Sequence, residues 1–139
     1  MHSGVVPMIA YEDGVAALEW LARSFGFVET DRILDEGRLA HGQMETGHGT
    51  IMLANPTPDY QGPRHHRQEC AAARRWSEVP YLIDGVLVYV DDVDAHFERA
   101  KDSGVSILTE IEDGPVGRRY RAEDLEGHRW MFLQVGADD

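Results

Sequence analysis

The sequence predicts an α+β chain built from two tandem β-α-β-β-β modules. The chain matches itself when shifted by 78 positions, and each half carries one amphipathic helix closed by a glycine. In each half one apolar run precedes that helix and three strand-like runs follow it. Under the shift Tyr11 meets Tyr89, Asp13 meets Asp91, Val15 meets Val93, Ala17 meets Ala95, Ala22 meets Ala100 and Gly26 meets Gly104. With two further positions of shift, Gly47-His48 meets Gly127-His128 and Leu53 meets Leu133. A fixed period that preserves residue character marks a duplicated structural unit.

The elements follow in order. Residues 5–11 form a short apolar run, a candidate buried strand. Asp13 is placed to cap a helix whose apolar face is Val15, Leu18, Leu21, Ala22 and Phe25. Gly26 stops it, because glycine enters the left-handed region freely. Strands are expected at 27–34, 38–46 and 50–55, separated by the turns Asp35-Glu36-Gly37 and Gly47-His48-Gly49. The second half repeats the order. A strand spans 85–90, Asp91 or Asp92 caps a helix with Val93, Phe97 and Ala100 inward, and Gly104 ends it. Strands follow at 105–112, 118–123 and 128–135. Module one is thus 5–55 and module two 85–135, within a single domain covering 1–139. The insert 56–84 opens as loop around Pro56, Pro58, Gly62 and Pro63, and 64–77 can form a helix. This stretch is locally basic, with Arg64, Arg67, Arg74 and Arg75 against Glu69. It is either a solvated connector or a rim bringing positive charge over a pocket, and Trp76 suits a side chain that packs on something.

Composition narrows the function classes. The chain has 139 residues, 42% hydrophobic and 27% charged, as in a soluble globular domain. A net charge of −12 disfavours nucleic acid or an anionic membrane as partner. A single cysteine, Cys70, allows no internal disulfide, which suits a reducing cytoplasm, and no nucleophile pattern surrounds it. No apolar run approaches the ~20 residues of a membrane span, and the N-terminus does not read as a signal peptide.

Several motifs carry a resemblance. They are Pro7-Met8-Ile9-Ala10-Tyr11-Glu12-Asp13, Gly26-Phe27, Leu39-Ala40-His41 and Ile51-Met52-Leu53 in the first half. In the second they are Val88-Tyr89-Val90-Asp91-Asp92-Val93-Asp94, Gly104-Val105 and Asp124-Leu125-Glu126-Gly127-His128-Arg129-Trp130. Together they resemble the vicinal oxygen chelate superfamily of glyoxalases, bleomycin-resistance proteins and dioxygenases, nearest its PhnB-like members. The resemblance implies a curled mixed sheet, two modules enclosing one cavity, and a homodimer. It also implies a divalent metal held by His and Glu on the first and last strands of each module. In this sequence those positions fall at about Val6, Met52, Gly85 and Met131, none of which is a hard donor. No catalytic metal or other cofactor is therefore expected, the alternative being a divalent ion at an atypical site. A zinc-binding face of His41, Glu45 and His48 would need a helix, which Gly42, Gly47 and Gly49 oppose.

The remaining candidates are polar and aromatic. His41, Gln43 and Glu45 share one strand face, and His41 can move a proton near neutral pH. Tyr89, Tyr120, Trp130 and Trp76 are candidate ligand walls, with Arg119 attracting an anionic or carbonyl-bearing ligand. Arg119 and Arg121 alternate with Tyr120, so only one set faces inward. Met8, Met44, Met52 and Met131 either line an adaptable pocket or are ordinary core. Three functions stay open: a metal-free small-molecule binding protein; a lyase, isomerase or dioxygenase-type enzyme using an atypical metal or His41; and an accessory module meeting a protein partner through the insert.

Overall fold

The computed structural model describes residues 4–81 and 83–136. The chain forms two compact units that divide between Gly62 and Pro63. Residues 56–62 of the insert thus go with the first unit and the rest of it, including its helical part, with the second.

In the first unit, β1 (Met8–Ala10), α1 (Gly14–Phe25), β2 (Val28–Asp35), β3 (Arg38–Glu45) and β4 (Thr50–Ala54) follow one another. The sheet order is β1-β4-β3-β2, with β1 parallel to β4 and the other pairs antiparallel. The first strand is shorter than the apolar run 5–11 suggests. Asp13 caps α1 by accepting from the Ala16 amide at 3.0 Å, and Gly26 closes it with φ 74°. Leu18, Leu21 and Phe25 bury one face of α1, opposite Leu39, Met44, Ile51 and Leu53 of the sheet. A register shift leaves Ala40 as an extra residue in β3, so Leu39 and Gly42 both turn toward the helix.

Close approach of helix and sheet requires two glycines. A Cβ on Gly14 would lie 2.6 Å from the Cβ of Leu39, and one on Gly42 would lie 3.2 Å from a Leu18 methyl.

In the second unit, α2 (Pro63–Glu69) and α3 (Ala71–Trp76) precede β5 (Val86–Val90), α4 (Val93–Asp102), β6 (Ser106–Glu112), β7 (Arg119–Glu123) and β8 (Arg129–Gln134). The sheet order is β5-β8-β7-β6, again with the first and last strands parallel. Asp92, not Asp91, caps α4 by accepting from the Ala95 amide. The single helix expected over 64–77 is two, broken at Cys70, which is extended (φ −128°) and precedes α3 as its cap.

The turn between β7 and β8 explains the most specific part of the sequence motif. Asp124 is buried and accepts from the amides of Glu126 and His128 and from the Trp130 indole N–H, each at 3.0–3.1 Å. Helix α2 docks on this turn. The Arg64 amide donates to the Glu126 carbonyl, and its guanidinium to those of Leu125 and Asp124. Gly127, at φ 91°, has no room for a Cβ, which would stand 2.8 Å from the Arg64 nitrogen.

Beside the turn, Glu123 sits between two arginines, 2.6 Å from Arg67 and 3.0 Å from Arg129. Arg129 also donates to the carbonyls of Ser77, Val79 and Tyr81, at 2.6 Å each, and so ties residues 77–81 to the sheet. Burial pushes the Glu123 carboxyl up, but the two guanidiniums outweigh it and hold the group below the usual carboxylate range.

Two predictions follow from this packing. Gly14→Ala is expected to lower stability in urea denaturation, because overpacking costs about 1–3 kcal/mol and exceeds the helix-propensity gain of at most ~1 kcal/mol; an unchanged or raised midpoint would contradict the contact. Glu123 has a depressed folded pKa, so its contribution is complete above the ordinary value of 4.5 and fades as the pH falls through the folded value. Glu123→Gln should therefore cost about 3 kcal/mol at pH 7, the low end for a broken buried pair. The deficit should shrink on acidification below pH 4.5. Equal deficits at neutral and acid pH would contradict the pairing.

Candidate functional site

Each sheet carries its helix on one face, which leaves the opposite face free to bear chemistry. In the first unit that face takes Met8 from β1, Thr50 and Met52 from β4, and His41, Gln43 and Glu45 from β3. A pocket of about 230 Å³ opens there, lined among others by Met8, Ala40, His41, Met52, Ala54 and Pro56. That is below the ~300 Å³ at which small-molecule sites usually begin, so the pocket has room for part of a drug-sized molecule rather than a whole one.

His41 reaches the pocket because the extra residue Ala40 re-aims the strand. Its Nε2 lies 3.7 Å from Asp31 Oδ2, a neighbour supplied by β2 that sequence spacing does not reveal. Gln43 and Glu45 follow on the same face but do not line the pocket. Both Glu45 oxygens accept from Thr50 Oγ1, at 3.0 and 3.1 Å, so this carboxylate is engaged within its own sheet. Met8 and Met52 do line the pocket, whereas Met44 is core. His48 is exposed in the turn beyond β3.

In the second unit the free face has two aligned rows. One runs Tyr89, Leu133, Arg119 and Glu112 across the strands; the next runs Leu87, Met131, Arg121 and Thr109. Tyr89 is 50% exposed on this face. Arg119 and Arg121 both point here, each paired with Glu112, at 3.6 and 3.0 Å.

Tyr120 and Trp130 do not. Both are 0% exposed and lie in the core on the α4 side of the sheet. Tyr120 stacks on Phe132, packs edge-on against Phe97 and shares a 2.6 Å hydrogen bond with His96 Nδ1. Burial pushes its phenol well above the usual range. Their expected place in a ligand wall gives way to core packing. The parity of β8 carried the signal, since Trp130 shares a face with Phe132 and not with Met131. Trp76 stands 55% exposed at the end of α3. Of the insert's basic residues, Arg64 and Arg67 are spent on docking α2, and Arg74 caps the Gln68 carbonyl. Tyr81, whose ring centroid lies 5.6 Å from the Arg121 guanidinium, was not legible as a site residue.

The positions that the resemblance assigns to metal ligands, Val6, Met52, Gly85 and Met131, have the wrong chemistry for a divalent ion. In the register, Met52 stands opposite Met8, and Met131 opposite Leu87. Thioethers and alkyl groups offer no hard donor to a divalent ion. Among the described residues no group of three or more His, Cys, Asp and Glu converges as a metal cage.

Comparison with known proteins gives this geometry its context. The model of the Glyoxalase/Bleomycin resistance protein/Dioxygenase superfamily matches residues 5–132. TioX from Micromonospora sp. ML1 is 33% identical, with a TM-score of 0.71 over 97% of this chain and 98% of that one. TnmS3, described as an antibiotic binding protein from Streptomyces sp. CB03234, shares the fold at 16% identity, with a TM-score of 0.65 over 97% of this chain and 100% of its own. An uncharacterized Mycobacterium bovis protein is 29% identical over 134 residues, 92% of this chain and 80% of the relative. A duplicated β-α-β-β-β unit, the Asp124–Trp130 turn and a family match over nearly the whole length converge: the chain belongs to the Glyoxalase/Bleomycin resistance protein/Dioxygenase superfamily.

Proposed function

We propose that the protein binds a small organic molecule on the helix-free faces of its sheets, without the divalent metal of its catalytic relatives. The observation that carries this reading is that the positions the resemblance assigns to metal ligands, Val6, Met52, Gly85 and Met131, offer no hard donor, and that Met52 and Met131 pair with the equally donor-poor Met8 and Leu87. Apolar and thioether side chains there favour adaptable packing on a ligand over Lewis-acid chemistry. The description of TnmS3 as an antibiotic binding protein makes antibiotics the first ligand class to try. On the first sheet we assign His41 and Gln43 as contacts, with His41 the polar anchor of the pocket there, and on the second sheet, taken by itself, Tyr89 and Arg119. The apolar side chains exposed on these faces, among them Met8, Ile33, Leu87 and Tyr89, support a homodimer that covers them. Among the described residues no helix is long and apolar enough to cross a membrane, and we read the chain as cytoplasmic. The PhnB-like affiliation rests on the 124–130 motif alone.

A second reading is favoured by one contact. His41 beside Asp31 is an acid–base arrangement, in which the carboxylate would orient the imidazole. A metal-free lyase or isomerase would use it. Partner docking through the insert has less support, because Arg64, Arg67 and Arg129 tie that segment to its own unit.

Titration with a panel of antibiotics, followed by tryptophan fluorescence and by mass analysis of the recovered compound, separates these readings. Saturable binding with the compound recovered unchanged is expected. His41→Ala should weaken binding about tenfold, the loss of one or two hydrogen bonds, and leave the melting temperature in place. Unchanged binding removes His41 from the site, and a chemically altered compound favours the enzyme.

A further inference from the structure

The structure assigns Arg121 and Tyr81 as a subsite for the carboxylate of a planar aromatic ligand. This deepens the binding reading and rests on it. Arg121 projects from the middle of β7 on the helix-free face, with its side chain only 12% exposed. Its Nη1 is taken by Glu112 at 3.0 Å and by Thr109 Oγ1 at 3.4 Å. Its Nε is buried and meets no hydrogen-bond acceptor. A buried donor on a charged group is costly to leave unmet, and such exceptions point to an absent partner. Nε and Nη2 together form the edge by which a guanidinium reads a carboxylate through two parallel bonds.

Charge favours an anion at this place despite the net −12 of the chain. Arg119 and Arg121 share the single carboxylate of Glu112, which leaves one positive charge in excess. The neighbouring cluster of Arg67, Arg129 and Glu123 has the same imbalance. The aromatic half of the ligand follows from what flanks the guanidinium. Tyr81 already lies over it, showing that its flat face accepts a ring. Arg129 holds the Tyr81 carbonyl, so that wall is set in place before a ligand arrives. Met131 lies beside Arg121 in its row, and Tyr89 stands two strands away in the next row, about 12 Å at the usual strand spacing and rise. A two-ring acid spans that distance, its carboxylate on Arg121 and its far ring toward Tyr89.

The test compares 1-naphthoate with its neutral counterpart 1-naphthamide by calorimetric titration of the full chain. The carboxylate is expected to bind at least tenfold tighter. Arg121→Met should abolish that preference and bring the two affinities to the same level. Arg121→Lys, which keeps the charge and loses the fork, should recover only part of it. Naphthoate should also shift the Arg121 Nε–H resonance in the nitrogen-15 spectrum of the wild type, a readout that needs no variant to fold. Equal affinities for the two probes in the wild type, an unmoved resonance, or a naphthoate preference that survives in Arg121→Met would overturn the subsite. Naphthamide binding without a naphthoate preference sinks the subsite alone and leaves small-molecule binding standing. Binding of neither probe also overturns the subsite, while the antibiotic panel judges the wider reading.

Discussion

Glu123 has the position from which much of the second unit is organised. It is a buried carboxylate at the end of β7, and it cannot stay charged there without its two guanidiniums. Arg67 brings helix α2 to it, and Arg129 extends past it to the carbonyls of the 77–81 segment. Through that chain of contacts one ion pair decides where Tyr81 stands, and so what lies over Arg121. The adjacent residue, Asp124, does the matching work in the core by joining its turn to the Trp130 indole. Two consecutive acids therefore point in opposite directions, one fastening the insert and the other the hydrophobic interior.

Strand alternation explains both what could be read from the sequence and what could not. The strand order, the cap Asp13 and the stop at Gly26 were legible because period and capping are local, while Asp91 and Asp92 were equal candidates for the second cap and α4 ends on Ser103, one residue before Gly104. The face each strand turns to its helix depends on parity, which a single bulge resets. Ala40 does so in β3 and brings His41 to the pocket, while Gln43 and Glu45 stay outside its lining. In β7 the parity is clean, yet an aromatic and an arginine are each credible in a ligand wall by residue type alone. Burial of Tyr120 with Phe132 and Phe97 settles that Arg119 and Arg121 hold the free face. The contacts of Asp31 with His41 and of Tyr81 with Arg121 join residues far apart in sequence or outside the repeat, so no local pattern announces them.

The duplication also sharpens the functional argument. Both modules present the same parallel pair of first and last strands, and in both that pair lacks donors suited to a divalent ion. Met52 and Met131, two of the positions the resemblance assigns to metal ligands, lie beside Met8 and Leu87, and these four side chains suit packing on a ligand. The fold is shared with catalysts and binders alike, so the chemistry of these four residues has to decide between them.

The most direct test of that account is one titration performed twice. Protein purified under native conditions is assayed for bound transition metal, titrated with the tightest ligand of the antibiotic panel, and titrated again after exhaustive treatment with a chelator. Metal well below one equivalent and an affinity unchanged by chelation are the predicted results. A stoichiometric metal whose removal abolishes binding would contradict the central claim.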